Sequence, residues 1–287
     1  MKGKQYSQKY RVDYSDIEKN NSMKPAKVVD RFQSLAMAHS NDIGYDLRWF
    51  EKEDMGWILL YWHIQMRRLP EEGENLTIST WTKPYKRAQA QRDFDAVDEN
   101  GEQIIYAASR WVLMNTIKRR PAKMPDSFFD AYVYDDCRPL SEEDFKMPVP
   151  EESALTTERD ILITRRDTDT NGHANNLVYV EWAFDDVSDE IYEKGTAVDM
   201  RVMYKKECRR GSTIKSFLYV TELPDDDPDA GDADKPAESD GKSGGDARKR
   251  SGKKHDGKKR IRTDSLFINP ENPKKPYAQV STIWEFD

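Results

Sequence analysis

The chain has 287 residues, 37% of them hydrophobic and 11% aromatic, enough for one large domain or two of ordinary size. Its net charge of -7 argues against a nucleic-acid binder. No apolar run reaches transmembrane length, the N-terminus lacks the apolar core of a signal peptide, and two cysteines (Cys137 and Cys208) make neither a disulfide framework nor a metal pattern, so a cytoplasmic protein is expected.

In chain order, a helix is predicted from Pro25, a good first-turn residue, burying Val28, Phe32, Leu35 and Ala36. A connection through Gly44 and Gly56 leads to four strand patterns at about 57–69, 76–83, 87–97 and 103–115. The last two are joined by the tight turn Asp98-Glu99-Asn100-Gly101. Residues 118–157, rich in Pro, Asp and Glu, read as a connection between units. A second helix follows at about 176–194, with Leu177, Val180, Phe184, Val187 and Ile191 at spacings of three and four. Asn175 or Asn176 is its candidate N-cap. Strands are expected at about 197–208, 213–222, 260–268 and 277–286.

The order helix then four strands therefore occurs twice, which predicts an α+β protein of two helix-on-antiparallel-sheet units joined as a pseudo-dimer. The expected division is an N-terminal unit at 1–135, a linker at 136–157 and a C-terminal unit at 158–287. Where the first half has the short link 84–86, the second carries 224–259, acidic then basic, almost without large apolar side chains. Such a stretch cannot offset its ordering entropy and is predicted to be a flexible insertion.

The most informative segment is Arg165–Asn176, R-R-D-T-D-T-N-G-H-A-N-N. Period-two spacing in an extended segment would bring Asp169, Asn171 and His173 to one side. A carboxylate, an amide and an imidazole there supply a charge or nucleophile, an orienting hydrogen bond and a proton shuttle. The cluster precedes a helix N-terminus, whose free N–H groups suit an oxyanion. The strand at 197–208 ends in Lys205-Lys206-Glu207-Cys208-Arg209-Arg210-Gly211, and in a helix-on-sheet unit that end approaches the helix start. Glu207 and Cys208 thus join the candidate set, as a carboxylate to orient water or a thiol nucleophile. The first half shows no D-x-N-x-H before its helix, so one half is expected to carry the chemistry. His39 reads as structural or pocket-lining, His63 as core or cavity, and His255 as inert within the insertion.

These motifs, with Arg68-Leu69-Pro70, Ile78-Ser79-Thr80-Trp81 and Ala108–Asn115 before Arg119-Arg120-Pro121, resemble those of the acyl-acyl carrier protein thioesterases: the plant FatA/FatB type and bacterial relatives. The resemblance covers nearly the whole chain except 224–259. It implies a tandem hot-dog fold and hydrolysis of the thioester between a fatty acyl chain and the phosphopantetheine arm of acyl carrier protein, with no metal or other cofactor. Carried over, the family's catalytic positions fall on Asp169, Asn171, His173, Glu207 and Cys208. Two mechanisms follow: Cys208 as nucleophile with His173 as base, or Asp169 as nucleophile or water activator with Glu207 assisting a water. The second is the preferred expectation, because hot-dog thioesterases tend to use a carboxylate near a helix N-terminus.

The resemblance also implies an acyl tunnel through the N-terminal unit, with Trp57, Leu59, Tyr61, His63 and Trp81 as candidate linings, and substrate contacts from Asn175 and Asn176. An acidic carrier protein should be steered by Lys118, Arg119, Arg120, Lys205, Lys206, Arg209 and Arg210. An acyl-CoA thioesterase with the same site, or a non-catalytic acyl-thioester sensor, are the alternatives. The protein is expected as a monomeric pseudo-dimer or a homodimer. Gly172 and Ala174, where the plant enzymes usually carry bulkier residues, and the insertion are its departures from the pattern.

Overall fold

A computed structural model describes residues 5–18, 20–86, 88–132, 143–169, 172–224 and 258–287. Asn171, Cys137, His255 and most of the expected insertion lie outside the described residues. The first unit runs β1 (Tyr6–Arg11), α1 (Pro25–Asp42), α2 (Leu47–Lys52), β2 (Met55–Met66), β3 (Asn75–Lys86), β4 (Gln89–Val97), β5 (Gln103–Asn115), the short β6 (Arg120–Pro121) and α3 (Asp126–Tyr132). The second runs β7 (Leu155–Leu162), α4 (Asn176–Asp185), α5 (Asp189–Lys194), β8 (Gly195–Tyr204), β9 (Thr213–Leu223), β10 (Arg260–Asn269) and β11 (Asn272–Phe286).

All these strands join one antiparallel sheet in the order β1-β3-β4-β5-β2-β8-β11-β10-β9-β7, with β6 on β5. The order reads the same from either end, unit for unit. Its centre is the β2–β8 pairing, where His63 stands opposite Arg201 and Tyr61 opposite Met203. His63 is held there by Asp199, Nε2 to Oδ2 at 2.7 Å. The histidine expected in core or cavity thus ties the two halves of the sheet together.

Each unit lays one apolar helix across its half-sheet. Phe32 of α1 meets Phe94 at 5.0 Å and Trp62 at 6.4 Å between ring centroids. In α4, Tyr179 and Trp182 meet Phe267 at 5.3 and 6.0 Å. Burying such aromatic side chains supplies the main stabilisation of each layer.

Four expectations change. The second helix is not continuous over 176–194: it ends at Asp185, and Ser188 caps the separate α5 by accepting from Ile191 N. Asp186 turns instead to Arg159 and to Ser216, whose hydroxyl donates to it at 2.6 Å, tying the helix end to β7 and β9. The first connection contains α2, capped by Asp46. Edge strands β1 and β7 extend the sheet on both sides, and β7 begins inside the span read as linker.

Candidate active site

The Asp169–His173 segment is a reversal, not an extended strand. Asp169 N donates to His173 O at 2.8 Å and Gly172 N to Asp169 O at 3.1 Å. Gly172 has φ 74, a left-handed value that glycine adopts without steric cost. Asp169 Oδ1 accepts from His173 N at 3.0 Å, so this side chain holds the turn that presents it. Ala174 N donates to Cys208 O at 2.7 Å, and His173 bridges Arg209, which fastens the turn beside the end of β8. Asn175 is the helix cap, its Oδ1 accepting from Leu177 N at 3.0 Å. Asn176 accepts the Tyr204 hydroxyl on its carbonyl at 3.0 Å.

The predicted approach of Glu207 occurs: its Oε2 lies 3.6 Å from His173 Nε2. Cys208, the next residue, points the opposite way. Its thiol is 2% exposed and belongs to the apolar core with Tyr179 and Tyr277. Burial pushes this thiol up, against smaller opposing effects of Ser212 and Tyr277, which disfavours the thiolate a nucleophile needs. The strand expected to run to 208 ends at Tyr204, and in the loop after it the two neighbours part, Glu207 toward His173 and Cys208 toward the core.

The first unit supplies a contact not foreseen. Arg119, expected only at a docking rim, places Nη2 3.1 Å from Glu207 Oε2. Its φ of 48 is unusual for a non-glycine residue, and such strain persists where the surroundings impose it. The site is therefore built across the two units. Lys118, Arg120, Lys205, Lys206, Arg209 and Arg210 are all exposed around it, giving a basic rim from both units. Among the described residues, no cluster of three His, Cys, Asp or Glu could hold a metal ion.

A cavity of about 560 Å³, its mouth included, opens between α1, α3 and the first half-sheet. Trp57 lines it as expected, with Trp111, Met124, Phe128, Phe129 and Tyr132. Trp81 does not: Thr82 lines the cavity, and strand alternation turns Trp81 to the other face. Tyr61 is also on the far side, its hydroxyl donating to Asp144 O at 3.0 Å and its ring against Phe145. Leu59 and His63 are not among the lining residues. His39 sits behind the wall, accepting at Nδ1 from Arg92 at 3.0 Å. The wall from α3 lies in the span expected to be a connection, and the helical spacing of Phe128, Phe129 and Tyr132 is its signal in the sequence.

The first half has no D-x-N-x-H, as expected, yet the loop before α1 makes the same backbone bonds. Glu18 N donates to Ser22 O at 3.0 Å, Asn21 N to Glu18 O at 3.0 Å, and Met23 N to Pro70 O at 2.8 Å, the same bonds as in the second loop. Asn21 has φ 67 where Gly172 has 74. Glu18 and Ser22 thus stand at the places of Asp169 and His173, and Leu69-Pro70 at those of Glu207-Cys208. The side chains of the two loops differ, while these backbone bonds and the positive φ are shared.

Comparison with known proteins decides the family. Residues 3–132 match the acyl-ACP thioesterase N-terminal domain and residues 151–264 the C-terminal domain. The chain belongs to the acyl-ACP thioesterase family. It is 27% identical over 228 residues to the acyl-[acyl-carrier-protein] hydrolase FATB3 of Cuphea viscosissima, covering 76% of this chain and 55% of that protein. It is 26% identical to oleoyl-acyl carrier protein thioesterase 1 of Arabidopsis thaliana, covering 76% and 65%. The chain thus spans little more than half the length of the FATB3 relative. Among solved structures, the 12:0-ACP thioesterase of Umbellularia californica superposes with TM-score 0.75 at 21% identity, over 99% of this chain and 98% of that one. This likeness shows a shared fold, a tandem hot-dog, as the repeated helix-on-sheet units require.

Proposed function

We propose that this acyl-ACP thioesterase family member hydrolyses acyl-acyl carrier protein to a free fatty acid and the carrier thiol. The observation that carries the reading is the junction of Asp169, His173 and Glu207 at one loop, with Arg119 reaching it from the other unit. In the reaction a water oxygen is added to the thioester carbonyl carbon, the C–S bond breaks, and the sulfur leaves with a proton. Asp169 either attacks first, giving an anhydride that water then opens, or orients the attacking water. His173 and Glu207 accept the water proton and return it to the sulfur. Asn171 completes the set as orienter.

Cys208 is a packing residue in this reading, supported by its burial and its raised thiol pKa. Replacing Cys208 with Ala is expected to keep kcat within about fivefold while lowering stability by about 1 kcal/mol, as loss of a small buried group does. Denaturant unfolding beside steady-state assays reads both; loss of turnover with the fold intact restores the thiol route.

The cavity of the first unit would hold the acyl chain and the basic rim would meet the acidic carrier protein. Because both halves of the site come from one chain, a monomer suffices, and a cytoplasmic setting fits that reading. The test is turnover of matched acyl-carrier-protein and acyl-CoA substrates over a range of chain lengths. A strong preference for acyl-CoA would replace the carrier protein with coenzyme A as the natural thiol.

A further inference from the structure

The first-unit loop comes with a cleft of its own. Glu18, Asn20 and Ser22 line a space of about 750 Å³, mouth included, closed by Tyr192, Thr196 and Trp284 of the second unit. Like the candidate active site, it is built across the two units. Two things distinguish it. Ser22 replaces His173 and Leu69 replaces Glu207, so the imidazole–carboxylate pair that would move a proton is gone. The tryptophans at corresponding strand positions also differ in their surroundings. Trp284 pairs with Ala197 as Trp111 pairs with Leu59, each at an irregularity in the strand register. Trp111 lines the acyl cavity, whereas Trp284 packs on Phe184 at 5.4 Å and Tyr192 at 6.0 Å.

What remains is a cleft whose wall carries a carboxylate held from behind. The Tyr192 hydroxyl bonds to the Glu18 carboxylate, yet Glu18 Oε2 is buried with no hydrogen-bond partner. Glu18 itself lines the cleft, beside the exposed Asn20, so the cleft presents a carboxylate and an amide to a ligand that offers donors. Burial also pushes the Glu18 carboxyl up, against the Tyr192 bond and nearby Lys24. At the mouth, Arg68 is engaged by Glu74 and Asp98, while Arg67 is exposed.

We propose that this cleft is a second, non-hydrolytic site for a phosphopantetheine arm that carries no long acyl chain. The proposal rests on the function above, because the pseudo-twofold relation makes the cleft a copy of the one the thioester arm would enter. Pantetheine brings amide N–H and hydroxyl donors for the Glu18 carboxylate and the Asn20 amide oxygen. Its carbonyls face Asn20, Ser22 and Thr196, and its phosphate meets Arg67.

The test is titration of the full chain with coenzyme A by calorimetry, in wild type and in Ser22→Trp, which fills the cleft. The wild type should bind one equivalent more than the variant, with melting temperature and thioester hydrolysis unchanged. Thr196→Trp, from the opposite wall, should remove the same equivalent, and Arg67→Glu should weaken it roughly tenfold by opposing the phosphate. Equal stoichiometry in wild type and both tryptophan variants overturns the proposal. Displacement of coenzyme A from this site by holo but not apo carrier protein supports the carrier's arm as ligand; displacement by neither supports free coenzyme A. Absence of hydrolysis in the wild type would sink the proposed function instead, and the stoichiometry difference would still be read independently.

Discussion

The two loops that precede α1 and α4 share a backbone and differ in chemistry. Each begins with a buried aspartate that caps its own turn: Asp16 Oδ2 accepts from Asp13 N at 3.0 Å, and Asp167 Oδ2 from Thr164 N at 2.7 Å. Each reverses through a left-handed residue and is tied to a strand end on the neighbouring hairpin. Since Asp16 and Asp167 are the same in both loops, they belong to the fold. Since His173 and Glu207 have only Ser22 and Leu69 opposite them, they belong to whatever one loop does and the other does not. The second carboxylate of the first loop, Glu18, is one methylene longer than Asp169 and bonds the Tyr192 hydroxyl, where Asp169 accepts the backbone N–H of His173.

The comparison is broken most directly by exchanging carboxylate for amide in both loops. Asp169→Asn should lower kcat by about a thousandfold, the size expected when a group acting in the transition state loses its charge. Glu18→Gln should leave kcat within about twofold. If the two variants lose activity equally, the loops act through folding alone, and steady-state rates read beside melting temperatures would show it.

The cavities give the next contrast. Phe184 packs on Tyr192 and Trp284 in the second unit, so Phe184→Ala should cost about 3–5 kcal/mol of stability without changing the acyl chain accepted. Ala90, which lines the first-unit cavity, tests the other side. Ala90→Trp should lower kcat/KM about tenfold on long acyl chains and spare short ones. A variant that lost activity equally on every chain length would mean that the cavity does not hold the chain. Denaturant unfolding and a chain-length panel measure the two effects.

Much of this was legible in the sequence, for physical reasons that differ by element. Strands such as β8 and β9 alternate because one face packs on a helix, and α1 and α4 begin where Pro25 and Asn175 mark a helix start. Glu207 could be placed near His173 because a strand end and a helix start meet in any helix-on-sheet unit. The edge strand β1, YSQKYR, was missed because its burial pattern is mostly exposed and shows no apolar alternation. The break after Asp185 was illegible because Asp186 is claimed by Arg159 and Ser216, far away in the chain. Arg119 could not be assigned to Glu207 because that contact joins the two units, and the first loop was hidden because only backbone bonds and a positive φ define it.

The smallest effect concerns the depth to which each helix reaches. The first unit's α1 runs to Asp42 and carries His39 over the sheet, between Tyr6 at 5.4 Å and Tyr132 at 5.7 Å. The second unit's α4 stops at Asp185 and brings no histidine to the same depth. Burial, and then the Arg92 guanidinium, push His39 down to about 3. The folded protein therefore keeps this imidazole neutral while the unfolded chain takes up a proton below its ordinary pKa of about 6.5. Stability is unaffected above that pH and falls as the pH drops from about 6.5 toward 3, by at most ~1.4 kcal/mol per pH unit. His39→Gln should lower stability at pH 7 by a fixed amount, through the altered contact with Arg92, but should remove this part of the slope. Urea unfolding at pH 7, 6 and 5 measures it. Parallel slopes in wild type and variant would place the acid sensitivity elsewhere and leave the two helices alike in their response to pH.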